Sequence, residues 1–161
     1  MNKIFIILSL ILGLTGIAFS QNLDLNKYDV FLNDSLICKS DFLKNSSKLD
    51  SSRLKDLTFK PISDGKKIIY YLNGKMYAKG DIKNKKEDGF WTYWHENEKK
   101  AREGGYTNGL RTGTHTYWYK NGNIRGVGNF KNDKYHGKWT MHKEDKSEVV
   151  EQLYKKGKLI K

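Results

Sequence analysis

The sequence predicts an all-β protein, an antiparallel stack of β-hairpin repeats that follows a cleavable signal peptide. Three observations predict it. "GFWTYWHENEKK" from Gly89, "GTHTYWYKNGNI" from Gly113 and "GKWTMHKEDKSE" from Gly137 write one pattern three times, 24 residues apart. Two series of turn-forming pairs share that spacing. One is Asn73-Gly74, Asn97-Glu98, Asn121-Gly122 and Asp145-Lys146; the other is Asn84-Lys85, Asn108-Gly109, Asn132-Asp133 and Lys156-Gly157. Asn-Gly and related pairs tolerate positive φ and favour tight hairpins. The segments between them are rich in Tyr, Trp, Phe, Thr, Val and Ile, which suit strands.

Taken in order, residues 1–20 read as an address. A short basic start precedes the apolar run Ile4–Phe19, and Ala18 and Ser20 offer small residues before Gln21. This is the anatomy of a secretory signal peptide, and the run is short of the ~20 residues that span a bilayer. Export to the periplasm, the outer envelope or the medium is the expected localisation. The single cysteine, Cys38, cannot form an internal disulfide, so burial and hydrogen bonding must hold the chain together. Residues 21–65 do not repeat and balance 7 Lys/Arg against 7 Asp/Glu. They are expected to form a partly flexible cap or linker, with a hairpin about Asn33-Asp34, at most a weak helix in the Ser-rich stretch, and an edge or junction at Pro61. Residues 66–161 carry the repeats and all the excess charge, 22 Lys/Arg against 11 Asp/Glu.

Within each repeat, alternation assigns faces. Trp91 and Tyr93 point one way, as do His115 and Tyr117, then Trp139 and Met141. Thr92 and Trp94 take the opposite face, with Thr116 and Trp118, then Thr140 and His142. In the second strand Gly80, Gly104 and Gly128 are equivalent, and Gln152 breaks the series. Ile82, Tyr106, Phe130 and Tyr154 stand two residues further on. Glycine weakens a strand interior, but a ring laid over its bare backbone compensates. The glycines Gly80, Gly89, Gly104, Gly113, Gly128 and Gly137 and the rings Trp91, Trp139, Tyr106 and Phe130 are therefore read as structural.

These residues carry a resemblance. The three units, with the incomplete opening unit "YYLNGKMYAKGDIKNKKED", resemble the bacterial variant of the MORN repeat, which shows Gly-x-Trp, an aromatic pair, an Asn-Gly turn, Gly-x-Tyr and a second Asn-Gly turn. The sequence departs from that pattern at Glu98, His115 and Gln152. The resemblance implies a MORN-like meander over residues 66–161 used for attachment, not a catalytic pocket. Some members of that family are labelled antitoxins, which makes an antitoxin-like binding protein a further alternative.

Searched for chemistry, the sequence predicts no catalytic, cofactor or metal site. His95, His115, His136 and His142 occupy four different repeat positions, with His136 placed in a turn, and do not converge as metal ligands must. Motifs of nucleophilic, zinc or phosphate-cradling sites do not occur in the chain. The expected function is a non-catalytic scaffold that associates with a protein partner or with itself. The expected binding face carries Trp94, Trp118 and His142 with Lys100 and Arg102, the two cations sharing a face by alternation and Arg125 pointing to the other. The alternative is an anionic glycan or lipid surface met by the basic residues. Nucleic acid is not an expected partner of an exported chain.

Overall fold

The computed structural model describes residues 25–161. The expected signal peptide at 1–20 lies outside the described residues. Strands dominate, paired in a mostly antiparallel meander, and the chain divides into two compact units. One runs to Ile62 and includes Tyr70–Gly74; the other comprises Ser63–Ile69 and Lys75–Lys161.

The first unit contains β1 (Tyr28–Leu32), β2 (Ser35–Ile37), α1 (Lys39–Asn45), α2 (Ser51–Leu54) and β3 (Leu57–Pro61), with β1 between the other two strands. Asn33 and Asp34 turn the β1–β2 hairpin at φ of 49° and 59°. Both central residues of a type I′ turn have positive φ, and Asn and Asp tolerate it. Val30, Leu32, Ile37, Phe42, Leu57 and Leu72 form one buried cluster. The expected weak helix is thus two short helices with Phe42 inserted into a core, and this part is a packed unit rather than a flexible linker. Asp50 caps α2 by accepting from the Arg53 backbone N–H at 2.9 Å, an ordinary N-cap bond. Asp41 accepts from the Leu72 N–H at 2.6 Å and Arg53 donates to the Leu72 carbonyl at 2.9 Å, which stitches Tyr70–Gly74 to the helices. Pro61 ends β3 opposite Tyr28, a strand end where no ladder donor is missed.

The second unit is the repeat array: β4 (Gly65–Tyr70), β5 (Met76–Lys83), β6 (Lys86–Trp94), β7 (Lys100–Thr107), β8 (Leu110–Trp118), β9 (Ile124–Lys131), β10 (Lys134–His142), β11 (Val149–Lys155) and β12 (Lys158–Leu159), each hydrogen-bonded to the next in chain order. The turns fall at the pairs read from the sequence. Asn84-Lys85, Asn108-Gly109, Asn132-Asp133 and Lys156-Gly157 all have positive φ at both residues. The longer turns place one residue at positive φ: Gly74, Glu98, Gly122 or Lys146. Gly65 stands 24 residues before Gly89, also at positive φ, and Asp64 accepts from the Asn84 and Lys85 N–H groups at 2.8 Å just as Asp88 accepts from Asn108 at 3.2 Å. The opening unit therefore starts at Gly65, with Lys67 where later units carry a ring.

The two glycines of each unit have different physical work. Gly89, Gly113 and Gly137 have φ of 74°, 70° and 69°. There β8 fits Gly113 and Thr114 in excess of β7, and β10 fits Gly137 and Lys138 in excess of β9, so both positions are β-bulges of the kind that uses a left-handed glycine. Gly80, Gly104 and Gly128 lie instead beneath rings. A Cβ added to them would fall 2.2 Å from the Trp91 indole, 2.3 Å from the His115 imidazole and 2.1 Å from the Trp139 indole. The registers place Trp91 opposite Gly104, His115 opposite Gly104 and Gly128, and Trp139 opposite Gly128 and Gln152. The rings then touch one another. His115 meets Tyr106 and Phe130 edge-on at 5.4 and 5.0 Å, and Trp139 meets Phe130 and Tyr135 at 5.0 and 4.6 Å. Trp91, His115 and Trp139 are at most 3% exposed.

Replacing Gly128 by Ala is expected to destabilise the protein by about 1–3 kcal/mol through overpacking against Trp139. Gly137→Ala is expected to lose about 1–2 kcal/mol through backbone strain alone. Urea denaturation separates the two causes: in a Trp139→Ala background the loss from Gly128→Ala disappears, whereas that from Gly137→Ala persists.

Candidate functional site

The repeat sheet has two faces with different chemistry. On the first, the ring nitrogens continue the repeat. Trp91 Nε1 donates to the Asp81 carbonyl at 3.1 Å and Trp139 Nε1 to the Asn129 carbonyl at 2.9 Å. His115 Nε2 lies 2.9 Å from the Gly105 carbonyl. The three carbonyls are 24 residues apart. A carbonyl only accepts, so Nε2 carries the proton and the imidazole performs the hydrogen bond of the indole it replaces. Burial, acting first, holds the His115 pKa below its usual value, with Arg111 and Arg102 adding to the effect.

Tyr93 donates to Glu87 on this face, and Arg102 lies over the Tyr93 ring at 3.7 Å from its centre while donating to the Tyr106 hydroxyl at 2.8 Å. Burial, then the Glu87 carboxylate, push the Tyr93 phenol well above its usual pKa. Arg111 stacks on Phe130 at 4.0 Å and pairs with Asp133 at 2.7 Å. Each of these polar groups is engaged within the face, as buried polar groups must be. Tyr106 and Phe130 are 6% and 3% exposed.

The second face is polar, with rings spaced along it. Lys79, Thr92, Glu103, Thr116, Val127, Thr140 and Glu151 face one another across successive strands. Beside that row runs a second: Trp94 opposite Lys100, Trp118 opposite Ile124, and His142 opposite Val149. Trp94, Trp118 and His142 are half-buried. Lys79 Nζ lies 5.7 Å from the Trp94 ring centre and Lys100 Nζ 5.5 Å from that of Trp118. Such contacts contribute about 0.5–1 kcal/mol where exposed.

Two side chains depart from the alternation. Tyr93 faces Arg102 but Trp94 faces Lys100, so Ala101 is the extra residue of a bulge. Lys100 consequently joins the tryptophan row, while Arg102 belongs to the opposite face with Tyr93 and Tyr106. Arg125 is the extra residue of the equivalent bulge in β9, and its guanidinium lies 5.3 Å from the Tyr117 ring, on the same face as Arg102. Strict period-two reading cannot register an inserted residue.

The histidines are dispersed. His95 Nε2 binds the Trp118 carbonyl at 3.0 Å, where the equivalent Tyr119 donates its hydroxyl to the His142 carbonyl at 2.7 Å. His136 lies within β10 opposite Asn129 rather than in the turn, because that turn closes at Asn132-Asp133. Among the described residues no group of three or more His, Cys, Asp and Glu side chains converges as a metal site. No protein-family model matches the chain, and no curated protein matches it.

His115 supplies a pH-dependent element. Its lowered folded pKa means that the unfolded chain binds the proton better. The stability it contributes is complete above its unfolded value near 6.5 and is lost as pH falls through the depressed folded value. His115→Trp is expected to be more stable than the parent, by a margin that grows between about pH 7.5 and about pH 5. Denaturation midpoints at the two pH values measure it.

Proposed function

We propose that this chain is an exported, non-catalytic repeat scaffold of the MORN-like kind, and that it binds a macromolecular partner across the row formed by Trp94, Trp118 and His142. The supporting observation is the contrast between the faces. Rings of the first face are consumed in covering glycines and stacking on one another. The two indoles of the second face, Trp94 and Trp118, are half-exposed one 24-residue unit apart and are met by lysines. Ring stacking over glycine accounts for the tryptophans of the first face, and aromatic residues half-exposed in a polar surface, as on the second, are common contact residues.

Association with a protein or a second copy would use the indoles as apolar anchors. An anionic surface would use Lys79 and Lys100, and the placement of both lysines at the indoles favours a ligand with polar as well as apolar character. Arg102, held by Tyr93 and Tyr106, takes no part in this reading.

Retention of residues 21–161 on immobilised envelope material, followed from low to high salt, tests the assignment. Binding is expected to be lost with Trp94→Ala and Trp118→Ala and to survive salt in the main, since burial of apolar area is little screened whereas counterion release is steeply salt-dependent. Retention unaffected by either substitution would overturn the assignment of this row.

A further inference from the structure

From that reading of the row as a binding surface, we infer that its ligand is an extended, β-1,4-linked polysaccharide chain, lying across the strands along Trp94, Trp118 and His142. The rings occupy alternate strands, β6, β8 and β10. Adjacent strands lie about 4.7–4.9 Å apart, so equivalent rings repeat at roughly 9–10 Å. An extended β-1,4-linked glycan repeats once per disaccharide over a similar length, so every second sugar meets a ring. The axial C–H groups of a pyranose form an apolar, weakly positive face that matches the negative π-face of an indole.

The surroundings of the rings separate this ligand from a protein. Lys100 stands between Trp94 and Trp118, and the adjoining row carries Glu103, Thr116 and Thr140, with Val127 between the two threonines and Thr92 buried. Trp94 and Trp118 are thereby separated by a charged group, and the apolar continuity along the row is confined to Ile124 beside Trp118 and Val149 beside His142, short of the broad apolar centre that protein interfaces bury. A sugar chain needs that alternation, with stacking at the rings and hydrogen-bonding groups between them. Lys79 and Lys100, both exposed, lie over the ring faces, with Lys100 Nζ also paired to Glu103 at 2.8 Å; as the sugar takes the indole they swing to its edge, where they and Glu103 meet its hydroxyl groups. Ile124, 42% exposed between Trp118 and His142, adds an apolar contact at the far end.

Titration of the protein with cellohexaose and chitohexaose, followed by calorimetry and tryptophan fluorescence, tests the inference. Both hexasaccharides are expected to bind. Cellobiose, which reaches one ring, is expected to bind roughly tenfold or more weaker, and Trp118→Ala to weaken hexasaccharide binding by about tenfold, the scale of one lost ring contact. Trp118→Tyr, which keeps a ring, should retain most of the affinity, and unchanged denaturation midpoints show that the variants are folded. Absence of binding to both hexasaccharides, or equal binding of the α-linked maltohexaose, would overturn it. So would phosphatidylglycerol vesicles binding through the same tryptophans while the sugars do not. If Trp94→Ala and Trp118→Ala abolish retention on envelope material although neither hexasaccharide binds, the row remains a binding surface and only its glycan assignment falls.

Discussion

The repeat domain depends on a ring laid flat against glycine backbone. Across the sheet the sequence Gly80, Trp91, Gly104, His115, Gly128, Trp139 alternates bare backbone with a large ring, and no Cβ fits beneath any of the three rings. This arrangement lets one face be buried without a second layer. A single sheet normally exposes both faces, and small units gain too little burial to stand alone. Here the rings lie along the sheet rather than stand up from it, and each covers its neighbours. Their nitrogens bond to the carbonyl one residue beyond the covered glycine, so orientation as well as contact is fixed. The bulge glycines follow from the same requirement, because they deliver each ring two residues after a left-handed kink.

The turns at both ends of the strands are tied in the same periodic way. At one end Gly109 donates to the Glu87 carbonyl at 2.8 Å, Asp133 to that of Arg111 at 3.1 Å and Gly157 to that of Tyr135 at 2.9 Å. At the other, Asn97 Nδ2 donates to the Lys120 carbonyl and Asn121 Nδ2 to that of Glu144. The asparagines thus serve two ends: their backbone tolerates the turn geometry, and their amides join one turn to the next. The first unit is built otherwise, around Val30 and Phe42 with helices, and shares none of this periodicity.

Much of the array was legible in the sequence because its signals are local and repeated. Turn positions follow from residues that accept positive φ, and strand faces follow from alternation. Three kinds of feature were not legible. The opening unit reads as incomplete, beginning at residue 66 after Asp64-Gly65, and its equivalence to the later units from Gly65 onward is hidden because Lys67 occupies the ring position. The separation of Lys100 from Arg102 depends on a bulge at Ala101, and an inserted residue leaves no mark in an alternating pattern. The packed character of the first unit rests on contacts between distant segments, Phe42 among Val30, Leu57 and Leu72, in a stretch whose composition is dominated by Ser and Lys. Of the row on the second face, the ring spacing was readable, whereas the lysines at Trp94 and Trp118 required the geometry of neighbouring strands.

Because every ring, cap and turn bond reaches only the adjoining unit, the array has a length quantum. A duplication of a whole 24-residue unit in phase reproduces each ring over a glycine and each asparagine beneath the next turn, whereas an insertion within a strand of a length other than a whole number of units moves the rings off their glycines. Such a chain can be lengthened by unequal copying of its own coding sequence without redesign of a core. Each added unit also brings one more position equivalent to Trp94 and Trp118, so the second face lengthens in step with the first.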